Sequence, residues 1–263
     1  MQQTVREGVE SRSTKTALIT GASSGLGLAL ANFLSQKNYR LLVTARHPPP
    51  LSVEFVAADL SHRQERQKIV ELIHRYSPDL VINNAGFGLY GAALDHPIEK
   101  ELEMMEVNGS AVLEFTLEAA KALRTAGKGG TIVNISSAAA FFPYPYFATY
   151  AAMKRFVLDI SQALDAELKK EGIRVLVACP GQFATSFQAK ASQGNYQSSQ
   201  DFLTLSQEKV VQAIWKQIET QKGVSIIDGK YRCMVFLSKF IPRPLLNTFL
   251  SRSLKKRIAV KKK

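Results

Sequence analysis

Tyr150 and Lys154 are the residues whose types and spacing point most directly to chemistry. They stand four positions apart in the run Tyr-Ala-Ala-Met-Lys, so a helix would place both side chains on one face. An isolated tyrosine titrates near about pH 10, and a neighbouring ammonium is expected to lower that pKa by favouring the phenolate. The pair could therefore give a proton to a reacting oxygen or take one from it. Because Tyr-x-x-x-Lys also occurs by chance in many chains, its meaning depends on the surrounding residues.

Those surroundings contain further polar and turn-forming residues beside predicted elements. Ser137 stands thirteen residues before Tyr150 and directly follows an apolar run. Asn108 lies in an earlier helical stretch. Pro180-Gly181 follows another apolar run, with Thr185 four residues beyond.

The elements that would position these residues alternate along the chain. The predicted strands are Thr16–Thr20, Leu41–Ala45, Glu54–Ala57, Leu80–Asn83, Thr131–Ser136, Arg174–Cys179 and Val224–Asp228. The predicted helices are Gly25–Lys37, one beginning at Ser61, two between Pro97 and Arg124, Ala148–Lys170 and Ser206–Thr220. The strands are continuously apolar, as expected when both faces of a sheet are covered. The pattern predicts an α/β fold with one doubly wound parallel sheet of about seven strands and helices on both faces.

Local signals indicate where some of these elements begin and end. The run Ser61-His62-Arg63-Gln64 predicts a capping box at a helix start. Gly172 predicts the end of the long helix. Three prolines, Pro48–Pro50, lie between the second and third strands, so we expect a loop there and no helix.

The run Thr-Gly-Ala-Ser-Ser-Gly-Leu-Gly, residues 20–27, joins the first predicted strand to the first helix. Glycines there permit a tight turn and a close approach of backbone to a pyrophosphate, which a helix N-terminus can bind. The residues expected to contact a nucleotide are Gly21, Ser23, Ser24, Gly25, Leu26 and Gly27, then Asp59 and Leu60 after the third strand, and Asn84, Ala85 and Gly86 after the fourth. A plain glycine-rich turn is the alternative, and the strand-before, helix-after context favours the nucleotide.

The end of the second strand bears on which nucleotide would bind. NAD-binding folds usually carry an acidic residue there for the ribose 2′-hydroxyl. This chain has Arg46 and His47 and no acid. A guanidinium suits a 2′-phosphate, which predicts NADP(H). A solvated arginine at a strand end is the alternative.

Composition limits the class of protein. The chain has 263 residues, 46% hydrophobic and 21% charged, which suits one sizeable α/β domain. Two cysteines and four scattered histidines form neither a disulfide framework nor a metal-ligand pattern, so we expect a cytoplasmic protein without a bound metal. Residues 1–14 are predicted to be a disordered extension and residues 15–228 the catalytic domain.

Residues 229–263 form a tail with eleven Lys or Arg residues and no acid. Subtracting this +11 from the net charge of +12 leaves +1 for the rest of the chain. After Pro244, apolar residues recur at helical spacing with basic residues mainly opposite them, which predicts a basic amphipathic helix able to contact a membrane peripherally. A helix packed on its own domain or on a neighbouring subunit is the alternative. No recognisable nucleic-acid motif accompanies the tail, so we expect no nucleic-acid partner.

Taken together, the motifs resemble the short-chain dehydrogenase/reductase family, classical type, in its NADP-preferring form. The resemblance runs from about Thr16 to Asp228. It rests on residues 20–27, Asn-Asn-Ala-Gly at 83–86, Asn108, the set Ser137, Tyr150 and Lys154, and Pro180-Gly181. It implies a Rossmann-like fold, NADP(H) as cofactor, hydride transfer between the nicotinamide and a carbonyl or alcohol carbon, and a homo-oligomer, either a dimer or a tetramer.

The resemblance also implies a role for each matched residue. Tyr150 would be the general acid in reduction and the base in oxidation, and Ser137 would stabilise the developing oxyanion. Lys154 would tune Tyr150 and bind ribose, while Asn108 would hold a water that relays protons.

By the same analogy, Thr185 and the backbone near Pro180-Gly181 would contact the nicotinamide carboxamide. The loop at Pro48–Pro50 departs from the family, because a helix is usual there. The shorter wall leaves Arg46 to recognise a 2′-phosphate largely alone.

The substrate is less well indicated. The aromatic segment Ala138–Phe147, with Phe87 and Tyr90, predicts an apolar cleft, although packing in the core or on a partner is equally compatible. Ser186–Thr204 is predicted to be a mobile lid. We therefore predict an NADPH-dependent oxidoreductase for an apolar or lipid-like carbonyl or alcohol. A non-catalytic NADP(H)-binding regulator and a membrane-associated scaffold are the alternatives.

Overall fold

The computed structural model describes residues 14–183 and 204–259, the last helix with side chains as far as residue 255. The predicted N-terminal extension lies outside the described residues apart from Thr14. Thr185, and the predicted lid apart from Thr204, also lie outside them.

The described residues form a seven-stranded parallel sheet in the order β3-β2-β1-β4-β5-β6-β7. The strands are β1 (Thr16–Thr20), β2 (Arg40–Ala45), β3 (Glu54–Ala57), β4 (Leu80–Asn83), β5 (Gly130–Ile135), β6 (Ile173–Cys179) and β7 (Val224–Ile226). The strand order reverses between β1 and β4, and such a switch point opens a crevice at the carboxyl ends of the strands.

Helices cover both faces of this sheet. They are α1 (Gly25–Gln36), α2 (Arg63–Tyr76), α3 (Ile98–Met105), α4 (Ala111–Thr125), α5 (Ala148–Leu168), α6 (Gln207–Glu219), α7 (Gly229–Ser238) and α8 (Arg243–Ala259). Helices α1 and α6 pack on one face of the sheet through buried residues that include Leu30 and Ile214. Helices α2 and α4 pack on the other face through residues that include Ile73 and Phe115. Cover on both faces explains the continuous apolar strands and confirms the predicted doubly wound sheet.

The predicted capping box at Ser61 is wrong. Helix α2 begins at Arg63, and its N-cap His62, which the structure describes, makes no side-chain capping bond. Ser61 Oγ instead donates to Asp59 Oδ1 at 2.7 Å. The helix begins one residue too late for Ser61 to be its N-cap, and the bond to Asp59 orients the serine side chain towards that carboxylate.

Other local predictions are confirmed. Residues 46–53, all of them described, contain no helix, as the prolines require. Helix α5 continues through one 3-10 turn to Gly172, whose φ of 75° is left-handed. Strand β7 ends two residues earlier than predicted, because Asp228 caps α7 by accepting the Lys230 N–H at 2.9 Å.

The C-terminal helices pack on the rest of the described fold. Tyr231 joins the core cluster on the α1 face, and Val235 and Leu250 pack with Phe142. Leu254 lies in a buried cluster with Tyr150. No helix within residues 14–183 and 204–259 combines the length and apolar character that a bilayer span needs.

Candidate active site

A cleft of about 480 Å³ lies at the carboxyl ends of the strands. The predicted site residues that line it are Gly21, Ser23, Ser24, Gly25, Leu26, Arg46, Asp59, Leu60, Asn84, Ala85, Gly86, Ser137, Tyr150, Lys154, Pro180 and Gly181. Gly27 and Asn108 are buried behind this lining, and Thr185 lies outside the described residues. The fold thus gathers into one cleft residues that are distant in the chain.

Backbone contacts explain why two glycines follow β1. Gly21 has a φ of +70°, and a Cβ there would lie 2.8 Å from Ala85 Cα. A Cβ at Gly27 would collide with the carbonyl oxygen of Gly21. Thr20 Oγ1 ties the two loops together by accepting the N–H groups of Asn84 and Ala85, each at 3.0 Å. The floor of this end of the cleft is therefore bare backbone beside the N-terminus of α1.

Arg46 lines the cleft at the end of β2 and is exposed. Asp59 lies close enough to interact with it electrostatically. Burial raises the pKa of the Asp59 carboxyl, but hydrogen bonds from Ser61 and the charges of Arg46 and His62 outweigh burial and hold that pKa below its usual value. Asp59 is therefore a carboxylate at neutral pH, and a phosphate bound here would share Arg46 with it.

Ser137, Tyr150 and Lys154 converge in the middle of the cleft. Helix α5 carries the tyrosine and the lysine in its first two turns, and Ser137 follows β5. The Ser137 hydroxyl forms a hydrogen bond with the Tyr150 hydroxyl and accepts the Ala139 N–H at 3.1 Å. Lys154 Nζ donates to the Ile135 carbonyl at 2.9 Å and lies 5.6 Å from the centroid of the Tyr150 ring. The three side chains expected to meet are therefore in one cluster.

The lowering of the Tyr150 pKa was expected from Lys154 together with a bound, positively charged nicotinamide, and it stays a prediction; without nucleotide the pKa is raised. Burial raises this pKa to about 12, and the hydrogen bond with Ser137 offsets only part of the effect. The Phe147 ring stacks on the Tyr150 ring with 4.1 Å between centroids, so a phenolate would have little contact with water. Burial also lowers the pKa of Lys154 to about 8. At neutral pH the cluster therefore presents a protonated tyrosine that can donate.

Asn108 lies in a π-helical turn, Glu106–Ser110, between α3 and α4. Its Nδ2 donates to the Phe87 carbonyl at 2.7 Å, and its Oδ1 accepts the Phe87 N–H at 3.1 Å. A Cβ at Gly86 would lie 2.9 Å from Asn108 Oδ1 and 3.4 Å from Lys154 Nζ. Asn108 therefore holds the turn after β4 against the cluster of Ser137, Tyr150 and Lys154, and its role in a water relay stays a prediction.

The other half of the cleft is apolar and comes from two parts of the chain. The predicted aromatic residues that line it are Phe87, Tyr90, Phe142, Tyr144 and Phe147. Sequence analysis missed the lining residues Tyr231, Met234, Phe249, Leu250, Ser253 and Leu254 on α7 and α8, and also Glu103 and Val107. Sequence analysis assigned several of them to the apolar face of a helix, but no local signal in the sequence places them beside Tyr150.

Helix α7 also supports the loop after β6. A Cβ at Gly181 would collide with the Tyr231 ring, and Gln182 N donates to the Tyr231 hydroxyl at 2.8 Å. On the other side, the Pro180 carbonyl accepts the Ala138 N–H at 2.8 Å. The loop predicted to face the nicotinamide is thus held between Tyr231 and the turn that follows Ser137.

Known oxidoreductases are similar in sequence to this chain. An uncharacterised oxidoreductase of Schizosaccharomyces pombe is 33% identical over 180 residues, which cover 65% of this chain and 62% of that protein. The chain thus matches less than two thirds of the length of this relative. An uncharacterised oxidoreductase of Staphylococcus aureus is 29% identical over 187 residues, covering 66% of this chain and 80% of the relative.

Solved structures of dehydrogenases have a fold similar to that of this chain. A short-chain dehydrogenase from Sphingobium yanoikuyae in complex with NADPH superposes with a TM-score of 0.73 at 26% identity, covering 81% of this chain and 87% of the other. A 4-hydroxyisoleucine dehydrogenase complexed with NADH superposes with a TM-score of 0.71 at 25% identity, covering 82% and 97%. The family described as short chain dehydrogenase matches residues 15–195, which is more than half of the sequence. This chain therefore belongs to the short-chain dehydrogenase family.

Proposed function

We propose that this protein is an NADP(H)-dependent oxidoreductase that reduces the carbonyl, or oxidises the secondary alcohol, of an apolar, lipid-like substrate. One observation carries the proposal: Ser137 and Tyr150 lie between the half of the cleft that is lined by glycine-rich backbone and the half that is lined by apolar side chains. The relatives named as oxidoreductases support this class of activity. One similar structure carries NADPH and another carries NADH, so the preference for NADP(H) rests on Arg46.

The cleft fits a dinucleotide at the residues that the motifs predict. Gly21 and Gly86 leave open backbone where a Cβ would meet its neighbours. The N-terminus of α1 beside them would bind the pyrophosphate. Arg46 would bind the 2′-phosphate, and Lys154 would bind the nicotinamide ribose.

NADPH, when bound, supplies the hydride that the carbonyl carbon receives. Tyr150 is protonated at neutral pH and donates its proton to the carbonyl oxygen. Ser137 hydrogen-bonds the same oxygen and stabilises the charge that develops there. Leu250 and Leu254 close the apolar half against water. In the oxidising direction, Tyr150 takes the proton back from the alcohol.

Binding of the two nucleotides tests the preference for NADP(H). We expect NADPH to bind more tightly than NADH to the wild-type protein, and Arg46→Ala to remove most of this difference. Titrations that follow cofactor fluorescence measure both affinities. Arg75→Ala is the matched control, because Arg75 is exposed at the end of α2 and does not line the cleft. Equal affinities for the two nucleotides in the wild-type protein would contradict the preference.

Turnover of a panel of apolar ketones tests the chemistry. Tyr150→Phe is expected to lower kcat by at least about 100-fold, the usual contribution of a general acid, while NADPH affinity stays unchanged. Tyr39→Phe is the control, because Tyr39 packs on Trp215 away from the cleft. A wild-type protein that binds NADPH yet reduces no ketone would favour a nucleotide-binding regulator.

A further inference from the structure

Helices α7 and α8 and the turn between them expose large apolar side chains to solvent. Seven large hydrophobic side chains are exposed there: Met234, Phe236, Leu237, Phe240, Ile241, Leu245 and Phe249. We call these seven residues the outer apolar surface. Phe240 is 73% exposed and Phe249 is 70% exposed. Clusters of exposed apolar side chains on this scale mark contact surfaces.

Positive charge accompanies this surface. Lys239 and Arg243 flank Phe240 and Ile241 in the chain, and both cations are exposed. Arg252 is exposed further along α8. Since residues 229–263 contain no Asp or Glu, the segment cannot neutralise these cations by itself. A partner that fits must therefore be apolar inside and negative at its surface.

The outer apolar surface is continuous with the cleft. Met234 and Phe249 are exposed and also line the cleft, while Leu250 and Leu254 are buried in its wall. Helix α8 thus has an inward apolar side and an outward one. Sequence spacing had placed all its apolar residues on a single face. An apolar molecule that moved from the partner past Phe249 would enter the apolar half of the cleft directly.

We propose that the outer apolar surface docks on an anionic lipid bilayer and that the cleft takes its apolar substrate directly from the bilayer. The exposed rings and aliphatic side chains would lie among the acyl chains, and Lys239, Arg243 and Arg252 would contact lipid phosphates. A second copy of the chain fits less well, because its own cations would face these across the interface. The docking half stands independently of the proposed function, whereas the substrate half rests on it.

Vesicle co-sedimentation of the full chain, without nucleotide, tests docking. We expect binding to vesicles of equal parts phosphatidylcholine and phosphatidylserine, and much weaker binding to phosphatidylcholine alone. Raising the salt concentration should weaken the binding, because screening reduces the attraction between the cations and the lipid phosphates. Binding that is absent, or that is equal for the two compositions, overturns the proposal.

A triple variant, Phe236→Ser/Phe240→Ser/Leu245→Ser, removes exposed apolar side chains that do not line the cleft. We expect it to bind the anionic vesicles at least about tenfold more weakly, because the apolar area available for burial is smaller. The matched control is Leu94→Ser/Ile98→Ser/Leu102→Ser, which removes three exposed apolar side chains on and before α3. An equal loss in both variants would show unspecific adsorption and overturn the proposal.

Light scattering measures the mass of the protein in solution. It tests the alternative that the outer apolar surface binds a second copy of the chain. If the wild-type protein ignores vesicles and is a dimer that the Phe236/Phe240/Leu245 variant dissociates, the surface binds a second copy and the proposal fails. All six replaced side chains are exposed, so both variants should unfold at the wild-type temperature.

Turnover separates the two halves of the proposal. With NADPH present, the docking variant should reduce a water-soluble ketone at the wild-type rate but a vesicle-embedded ketone at least about tenfold more slowly. Equal rates on the embedded ketone overturn direct uptake from the bilayer. If the wild-type protein binds vesicles but reduces neither ketone, docking stands and the oxidoreductase proposal fails.

Discussion

Burial disfavours the charged form of both Lys154 and Tyr150. Burial lowers the pKa of this lysine from 10.5 to about 8 and raises that of Tyr150 to about 12. The unfolded chain therefore holds the Lys154 proton more tightly than the folded protein does. The resulting destabilisation is full below about pH 8 and disappears as the pH rises towards 10.5.

Lys154→Met tests this conclusion. At about pH 7 the variant should be more stable than the wild-type protein by about 1–3 kcal/mol, because the buried charge is gone and only the hydrogen bond to Ile135 is lost. The difference should shrink by about pH 9.5, where the folded wild-type lysine is largely neutral. Urea unfolding at both pH values measures it, with the exposed Lys170→Met as control. A variant less stable than wild type at both pH values would refute the argument.

Helix α8 shows that helical spacing in the sequence predicts a helix but not which of its residues are buried. Spacing predicts a helix after Pro244; the helix is present but begins at Arg243, so Pro244 lies in its first turn. It does not predict that Leu250 and Leu254 turn inward while Leu245 and Phe249 face out. The apolar residues of α8 are spread round much of the helix and do not form one stripe, so packing beside the cleft decides which of them are buried.

Paired alanine substitutions on α8 distinguish its two sides. Leu254→Ala should reduce the free energy of unfolding by about 2–4 kcal/mol, because it leaves a cavity beside Tyr150 and Met104. Leu245→Ala should change it by less than about 0.5 kcal/mol, because that side chain is exposed. Urea denaturation gives both values. Similar losses in the two variants would mean that α8 does not pack as described.

For the whole molecule, the residues that line the glycine-rich half of the cleft could be predicted from sequence, and those that line the apolar half only in part. The residues of the first half follow consecutive strands, and parallel strands all end at the same edge of the sheet. Met234 and Leu254 enter the second half through packing between distant segments, which leaves no local pattern. Spacing likewise reveals that Lys154 is a neighbour of Tyr150, but it does not reveal the burial that raises the Tyr150 pKa in the absence of nucleotide.

Removing residues 229–263 tests whether the C-terminal helices belong to the domain. The shortened protein should lose cooperative unfolding and ketone turnover, because its core would lose Tyr231 and the apolar half of the cleft would open to water. Thermal unfolding by circular dichroism and a turnover assay measure this. A chain ending at residue 259 is the control, because it keeps both helices. A stable, active chain ending at residue 228 would instead make the helices a separate tail.

The contact between Gly181 and Tyr231 has an evolutionary consequence. The tyrosine ring occupies the space that any side chain at position 181 would need. Natural substitutions at the two positions should therefore be correlated: a larger residue at 181 requires a smaller one at 231. A lineage that lost α7 would free position 181 from this restriction, so diversity there should mark the relatives whose cleft is closed by some other segment.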